Sequence, residues 1–397
     1  MKRRKISNAV TWLGAIDWDR RLFDALIPLP DGTTYNAYLV QGSNKTALID
    51  TVDPSMTQVL LRQLEDVPLV DYVISNHAEK DHSGTIPEIL RRYPEATLLT
   101  SDRAVNVLVD SLRIEESRIR VVKDSETVDL GGRTLEFLYT PWVHWPETMV
   151  TYLQEENILF SCDFLGCHIA SSDLYVTDTA RVAEAAKRYF AEIMMPFRNH
   201  IRKHLDRLAG YPVKMVAPSH GPIHTNPDFI LNEYREWASE HPKNLVVIPF
   251  VSMHGSTEKM VDCLVEHLVE KDVNVERYDL AVADIGKLAT ALVDAATIVV
   301  ATPTVLGGPH PLAAYAAVLA NALRPKAQYL SIIGSYGWGG KSVEALAGMI
   351  PNLKVEVLEP YLTKGSPDSL DCTAIEKLAD TIALRHQTLK IAPAVSD

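Results

Sequence analysis

The chain has 397 residues, 47% of them hydrophobic, with 51 acidic and 39 basic side chains and a formal net charge of −12. One core stops growing near about 250–300 residues, so two domains are expected. The acidic excess falls on both halves, −7 over residues 1–243 (27 basic, 34 acidic) and −5 over 244–397 (12 basic, 17 acidic), which leaves no basic footprint for nucleic acid.

The N-terminus, MKRRKISNAVTWLGAIDW, begins basic but has no sustained apolar run, and it does not read as a signal peptide. Up to about Pro242, short apolar runs between turn signals predict strands at Tyr35–Gln41, Lys45–Asp50, Tyr72–Ser75, Thr97–Thr100, Arg120–Val122, Thr134–Tyr139, Met149–Leu153, Ile158–Ser161 and Lys214–Ala217. With helices after Pro54, Gly84, Thr179 and Asp228, the series suggests two sheets sandwiched between helices.

After Ser239-Glu240-His241-Pro242-Lys243 the rhythm changes to strict alternation of strand and helix. The predicted order is strand Leu245–Val251, helix Thr257–Lys271, strand Asn274–Leu280, helix Gly286–Asp294 and strand Thr297–Thr302. It continues with helix Pro311–Leu323, strand Gln328–Ser335, helix Ser342–Ile350, strand Lys354–Leu358 and helix Asp368–Arg385. Continuously apolar strands such as LVVIPFV imply a parallel sheet covered on both faces, a doubly wound domain of flavodoxin size. The expected domains are therefore residues 1–243 and 244–397. The most apolar stretch, Ala295 to Leu306, holds Thr and Pro and is shorter than the ~18 residues of a membrane span. A cytoplasmic chain with neither membrane nor nucleic-acid partner is expected. Cys162, Cys167, Cys263 and Cys372 fall at no C-x-x-C spacing and give no disulfide framework.

One stretch dominates the first half: His77-Ala78-Glu79-Lys80-Asp81-His82, directly after a buried strand. Four candidate ligands sit at the C-terminal end of that strand, where α/β sites gather. His144, Asp163 and His220 follow at later strand ends. Imidazole and carboxylate suit iron, manganese or zinc. Four imidazoles and three carboxylates exceed what one metal needs and fit two metals with one carboxylate shared. Two divalent ions would nearly balance Glu79, Asp81 and Asp163, which suits a redox pair. His168, His200, His204 and His224 are read as structural or exposed, and Trp142 and Trp145 as packing walls.

The order His-x-Glu-x-Asp-His, then His144, Asp163 and Ser219-His220-Gly221, resembles the metallo-β-lactamase-like fold, whose zinc hydrolases usually carry His where this chain has Glu79. A carboxylate there favours iron over zinc. With a flavodoxin-like domain following, nearly the whole chain resembles a flavodiiron protein, also called an A-type flavoprotein. The fold implied is an αββα sandwich followed by a doubly wound parallel sheet. The resemblance implies one iron held by His77, Glu79 and His144, a second by Asp81, His82 and His220, and Asp163 bridging. The chain departs from the family at His224, where many members have Trp nearby, and at Cys162, where Asn is commoner. Both adjoin ligands and bear on pocket shape.

In the second half, Ser252-Met253-His254-Gly255-Ser256-Thr257 leads into a helix N-terminus, a ready anion site. The loops Pro303-Thr304-Val305-Leu306-Gly307 and Ser335-Tyr336-Gly337-Trp338-Gly339-Gly340 should project from the same sheet edge. Resemblance to flavodoxins makes the ligand FMN, its phosphate on Ser252 to Thr257 and its ring between the Thr304 and Tyr336 loops.

The activity implied is reduction of dioxygen to water, of nitric oxide to nitrous oxide, or both, at a diiron centre fed by FMN, with no side-chain nucleophile. The family arrangement is a head-to-tail homodimer, alone or as a dimer of dimers. Without paired C-x-x-C motifs the chain carries no rubredoxin module of its own, so an external donor is expected, either a rubredoxin-like protein or a reduced deazaflavin coenzyme. The rival readings are a dinuclear zinc hydrolase with a flavodoxin-like appendage and a plain electron carrier.

Overall fold

The computed structural model describes residues 2–23 and 25–389; Met1, Asp24 and residues 390–397, which the expected domain bounds include, lie outside the described residues. Contacts divide the chain into two compact units, Met1–Tyr189 with Phe197–Ala238, and Phe190–Pro196 with Ser239–Asp397.

In the first unit one sheet runs in the order Arg4–Lys5, Val10–Asp17, Thr33–Gln41, Thr46–Ile49, Tyr72–Ile74, Thr97–Thr100, Ile119–Val121. The strands from Thr46 onward pair in parallel, and helices Thr57–Gln63, Ile86–Arg92 and Ala104–Leu112 make the crossovers that parallel pairing requires. A second sheet runs Thr127–Asp129, Thr134–Tyr139, Met149–Leu153, Ile158–Cys162, Met215–Pro218. Strand alternation sorts the first sheet's side chains into two cores. Leu13, Tyr35, Leu39, Val73 and Leu98 meet Leu60, Ile86, Ile89 and Leu108 of the crossover helices. Trp12, Tyr38, Val40, Ile49 and Leu99 meet Leu135, Phe137, Met149 and Phe160 of the second sheet.

Strand Val10–Asp17 was not predicted, although it pairs with Thr33–Gln41 along its whole length. Both its faces are buried, so VTWLGAID lacks the alternation that marks a half-buried strand. Gly14 is required within it: at φ +138° a Cβ would stand 2.2 Å from the Tyr35 carbonyl oxygen. Helices Ala104–Leu112 and Arg198–Leu208 also went unpredicted.

In the second unit the parallel strands lie in the order Asn274–Asp279, Leu245–Phe250, Thr297–Val305, Tyr329–Tyr336, Glu356–Val357. This is the 2-1-3-4-5 order of a flavodoxin-like sheet. Strand Tyr361–Lys364, unpredicted, pairs with the upper half of Tyr329–Tyr336. Helices Ser256–Val269 and Ser369–Thr388 cover one face through Met260, Leu264, Leu268, Ile375, Leu378 and Ile382.

One expectation is overturned here. Cys263 and Cys372, 109 residues apart, form a disulfide, while Cys162 and Cys167 are free and buried. Sequence spacing cannot reveal the pair, because only the packing of those two helices on the sheet brings the sulfurs together. Among the described residues no helix is long and apolar enough to cross a membrane.

Candidate functional site

Strand Tyr72–Ile74 ends in a loop whose shape is fixed by its own hydroxyls. Ser75 Oγ donates to the His77 carbonyl at 2.9 Å and Ser83 Oγ to that of Ala78 at 2.7 Å. The buried Asp50 carboxylate takes the Asn76 backbone N–H at 2.9 Å and its side-chain amide at 3.0 Å. The short helix Lys80–Ser83 then turns Asp81 and His82 inward. Asp163 follows strand Ile158–Cys162 at a bend where Cys162 and Leu165 take φ of +53° and +66°, values that non-glycine residues adopt only when their surroundings enforce them.

All seven residues expected to hold metal converge. Ligand atoms of His77, Glu79, His144 and Asp163 lie within 4.8 Å of one another, as do those of Asp81, His82 and His220. Asp163 faces both groups. Its Oδ2 is 3.5 Å from His77 Nε2 and 3.4 Å from His144 Nε2, and its Oδ1 is 2.9 Å from His82 Nε2 and 3.4 Å from His220 Nε2. Glu79 Oε2 sits 3.1 Å from both His77 and His144 Nε2, and Asp81 Oδ2 sits 3.0 Å from His220 Nε2.

These approaches do not complete the donors and acceptors. Both Asp81 oxygens, both His82 ring nitrogens, Asp163 Oδ2 and His220 Nε2 are buried without hydrogen-bonding geometry to any partner among the described residues. Unsatisfied polar atoms are costly and rare in a native interior, so this concentration fits a cation pair with oxygen and imidazole ligands.

Burial by itself would favour the neutral forms, but mutual attraction outweighs it. Glu147 and Glu79 raise His77 to about 10 against that burial. Asp163 and Asp81 raise His82 in the same way, and Asp163 and Glu79 raise His144. Glu79 and Asp163 themselves are driven below the usual carboxylate range by the imidazoles, against their burial.

Three orienting contacts were not foreseen. Glu147 Oε1 lies 2.7 Å from His77 Nδ1, the Thr34 carbonyl 2.6 Å from His220 Nδ1, and the Tyr189 hydroxyl 2.7 Å from Asp163 Oδ1. Of these, only Glu147 gave a signal, three residues after His144. His168 is structural: it is buried, with Nδ1 2.8 Å from Thr33 Oγ1 and its ring 4.6 Å from that of His220. His224 is buried and held down to about 4 by desolvation. His204 meets the Pro141 carbonyl at 3.0 Å, and His200 is half-buried. Trp145 packs edge-on to His77 at 5.0 Å, whereas Trp142 stacks on Phe197 at 5.8 Å. The Cys162 sulfur lies within 4.8 Å of His82 and Asp163 ligand atoms, and burial keeps it a thiol.

In the second unit, parallel pairing puts the loops after Leu245–Phe250, Thr297–Val305 and Tyr329–Tyr336 at one sheet edge. They surround a cavity of 380 Å³ lined by Met253, His254, Ser256, Thr257, Pro303, Thr304, Ser335, Tyr336 and Gly337. Gly365 and Ser366 also line it; this fourth loop was missed, its signal being Gly-Ser-Pro between a strand and a helix. Gly255, at φ +82°, is the N-cap of helix Ser256–Val269 and offers its first turn no side-chain hydrogen bond, at the kind of helix end that takes an anion; it is itself outside the cavity lining. Ser252 is outside the lining and accepts from Glu258 N at 3.2 Å as a helix cap. Val305, Leu306, Gly307, Trp338, Gly339 and Gly340 also lie outside it, with Leu306 94% and Trp338 72% exposed.

A family model described as "ODP family beta lactamase" matches residues 33–221. The chain is 36% identical to a nitric oxide reductase of Moorella thermoacetica, over 96% of this chain and 98% of that one. The solved rubredoxin oxygen:oxidoreductase of Desulfovibrio gigas superposes with a TM-score of 0.94 at 31% identity, covering 98% of this chain and 100% of the other. A flavo di-iron protein variant from Thermotoga maritima gives 0.87 at 26% identity, with 98% of each chain covered.

Proposed function

The chain belongs to the flavodiiron protein family, and from that premise we propose that it reduces dioxygen to water, nitric oxide to nitrous oxide, or both. One observation above all supports the reading. Asp163 offers one oxygen to His77 and His144 and the other to His82 and His220, as a carboxylate shared by two metals would.

In this reading His77, Glu79 and His144 hold one iron, Asp81, His82 and His220 the other, and Asp163 both. Two bound irons supply the binding and reduction of a diatomic molecule, and FMN supplies electrons singly or in pairs. The chain's own residues hold and orient. Glu147 and the Thr34 carbonyl each take an Nδ1–H, which turns His77 and His220 Nε2 toward the metals. Ser256 and Thr257, at their helix N-terminus, would hold the FMN phosphate, and the Thr304 and Tyr336 loops, which line the same cavity, would hold its ring.

The electron donor in this reading is a separate molecule, a rubredoxin-like protein or a reduced deazaflavin coenzyme; the Desulfovibrio gigas relative is named for the former and a 35% identical coenzyme F420H2 oxidase of Methanothermobacter marburgensis for the latter. A head-to-tail homodimer in the cytoplasm, alone or as a dimer of dimers, completes the proposal on family grounds. The zinc hydrolase reading is not favoured, because Glu79 hardens the ligand set toward iron and the relatives carry reductase names.

Metal and flavin analysis of the purified chain, with oxygen uptake of Asp163→Ala and His144→Ala, tests this. Iron with FMN, and uptake lost in both variants, is expected. Full uptake in either variant would place the activity outside the Asp163 centre.

A further inference from the structure

The disulfide Cys263–Cys372 belongs to no part of the metal centre. It joins the two helices that cover one face of the second sheet, and its sulfurs are not equivalent. Cys263 is buried in the middle of helix Ser256–Val269, while Cys372 is half-buried in the first turn of helix Ser369–Thr388. A ring nitrogen of His267, one turn beyond Cys263, lies within 4.8 Å of both sulfurs. A half-buried cysteine, a buried partner and a nearby imidazole are parts that thiol–disulfide exchange uses.

The same two helices border the flavin cavity. Ser256 and Thr257 open the first helix, and Gly365 and Ser366 lead into the second. Lys259 Nζ approaches Ser366 Oγ at 3.4 Å across them.

We propose that Cys263 and Cys372 are a reversible dithiol/disulfide pair that fastens these two walls, so that the oxidised chain holds flavin more tightly than the reduced one. The flavin half of this statement rests on the FMN reading above; the dithiol half does not.

In the oxidising direction Cys372 passes its proton to His267 and attacks one sulfur of a low-molecular-weight disulfide such as glutathione disulfide, expelling a glutathione thiolate. That thiolate takes the proton from His267; Cys263 then passes its own proton to His267 and attacks the Cys372 sulfur of the mixed disulfide, and the second glutathione leaves with that proton. Two protein thiols and one glutathione disulfide become one protein disulfide and two glutathiones, and the protein gives up two electrons. Two glutathiones reverse the step. Cys162 and Cys167 are both buried, which keeps them out of exchange.

The full-length chain is equilibrated in glutathione buffers from reduced to oxidised, quenched with acid and alkylated after unfolding, with thiols counted by mass spectrometry. FMN affinity is measured on parallel samples by flavin fluorescence. With four cysteines in the chain, four alkylated thiols at the reduced end should fall to two at the oxidised end in one reversible transition. FMN affinity should be about fivefold or more weaker at the reduced end. Cys372→Ser, and independently Cys263→Ala, should show an FMN affinity that is constant across the series. Four thiols in every buffer, two in every buffer, or cycling thiols with unchanged FMN affinity overturns the proposal. Thiols that cycle in a chain binding no FMN at either end support the dithiol and overturn the flavin reading.

Discussion

Glu147 Oε1 lies 2.7 Å from His77 Nδ1 and also accepts from the Ala78 backbone N–H at 3.2 Å. One buried carboxylate thus fixes both the ring and the backbone beside it. With Nδ1–H committed to Glu147, Nε2 is the nitrogen left to face Glu79 and Asp163, as the Thr34 carbonyl arranges for His220. An outer partner of this kind sets tautomer, orientation and basicity of a ligating imidazole.

Glu147→Ala should therefore weaken metal retention by about 10–100-fold, read as iron per chain after competition with a chelator. Glu147→Gln, whose amide oxygen still accepts, should lose less. Equal retention in wild type and Glu147→Ala would show that His77 needs no such partner.

The Tyr189 hydroxyl donates to Asp163 Oδ1 at 2.7 Å. Tyr189→Phe keeps the ring that packs against His168 and removes only the hydroxyl. Iron release to a chelator should accelerate by about tenfold while the thermal midpoint moves by only a few degrees. An unchanged release rate would assign Tyr189 to packing alone.

The ligands were legible because each sits where an apolar run ends, as His77 does after Tyr72–Ile74 and Asp163 after Ile158–Cys162. Their partners were not, since Thr34 contributes a main-chain carbonyl and Tyr189 reaches Asp163 from a helix. Main-chain groups carry no residue signature, and a tyrosine on a helix reads as core. The second unit was more legible than the first because βα alternation is local. Strand Val10–Asp17, buried on both faces, and the Cys263–Cys372 bridge depend on long-range packing that no window of sequence contains.

Gly221 follows His220 at φ +81°, and a Cβ there would stand 2.5 Å from Cys167 Sγ and 2.8 Å from its carbonyl oxygen. Gly221→Ala should cost about 2–4 kcal/mol, from the left-handed backbone and the overpacking together, and should lower iron content through His220. Gly132→Ala is the comparison: φ is +69° with no atom within 4 Å of the added Cβ. It should cost only about 1–2 kcal/mol and leave iron content alone. Denaturant midpoints and metal analysis of both variants check this.

His386 gives a pH dependence independent of the metal centre. It is buried, with Nε2 2.7 Å from Thr297 Oγ1 and Nδ1 2.8 Å from Asn244 Oδ1, and desolvation lowers it to about 4. The unfolded chain, near 6.5, binds more protons than the folded one in the interval between. Stability is therefore lost as pH falls from about 6.5 toward 4, by about 3 kcal/mol at most. The unfolding midpoint of His386→Gln should lie below wild type at pH 7 and fall less steeply through that window. Parallel slopes would contradict it.

The purified holoprotein is reduced anaerobically and O₂ and NO are added separately, with turnover measured for each in wild type and in Asp163→Ala. A diiron centre shared through Asp163 should give rapid turnover of at least one gas in wild type, and its loss in Asp163→Ala with FMN still bound. A chain that carries zinc, shows no flavin absorbance, turns over neither gas and hydrolyses an ester or lactam would contradict it.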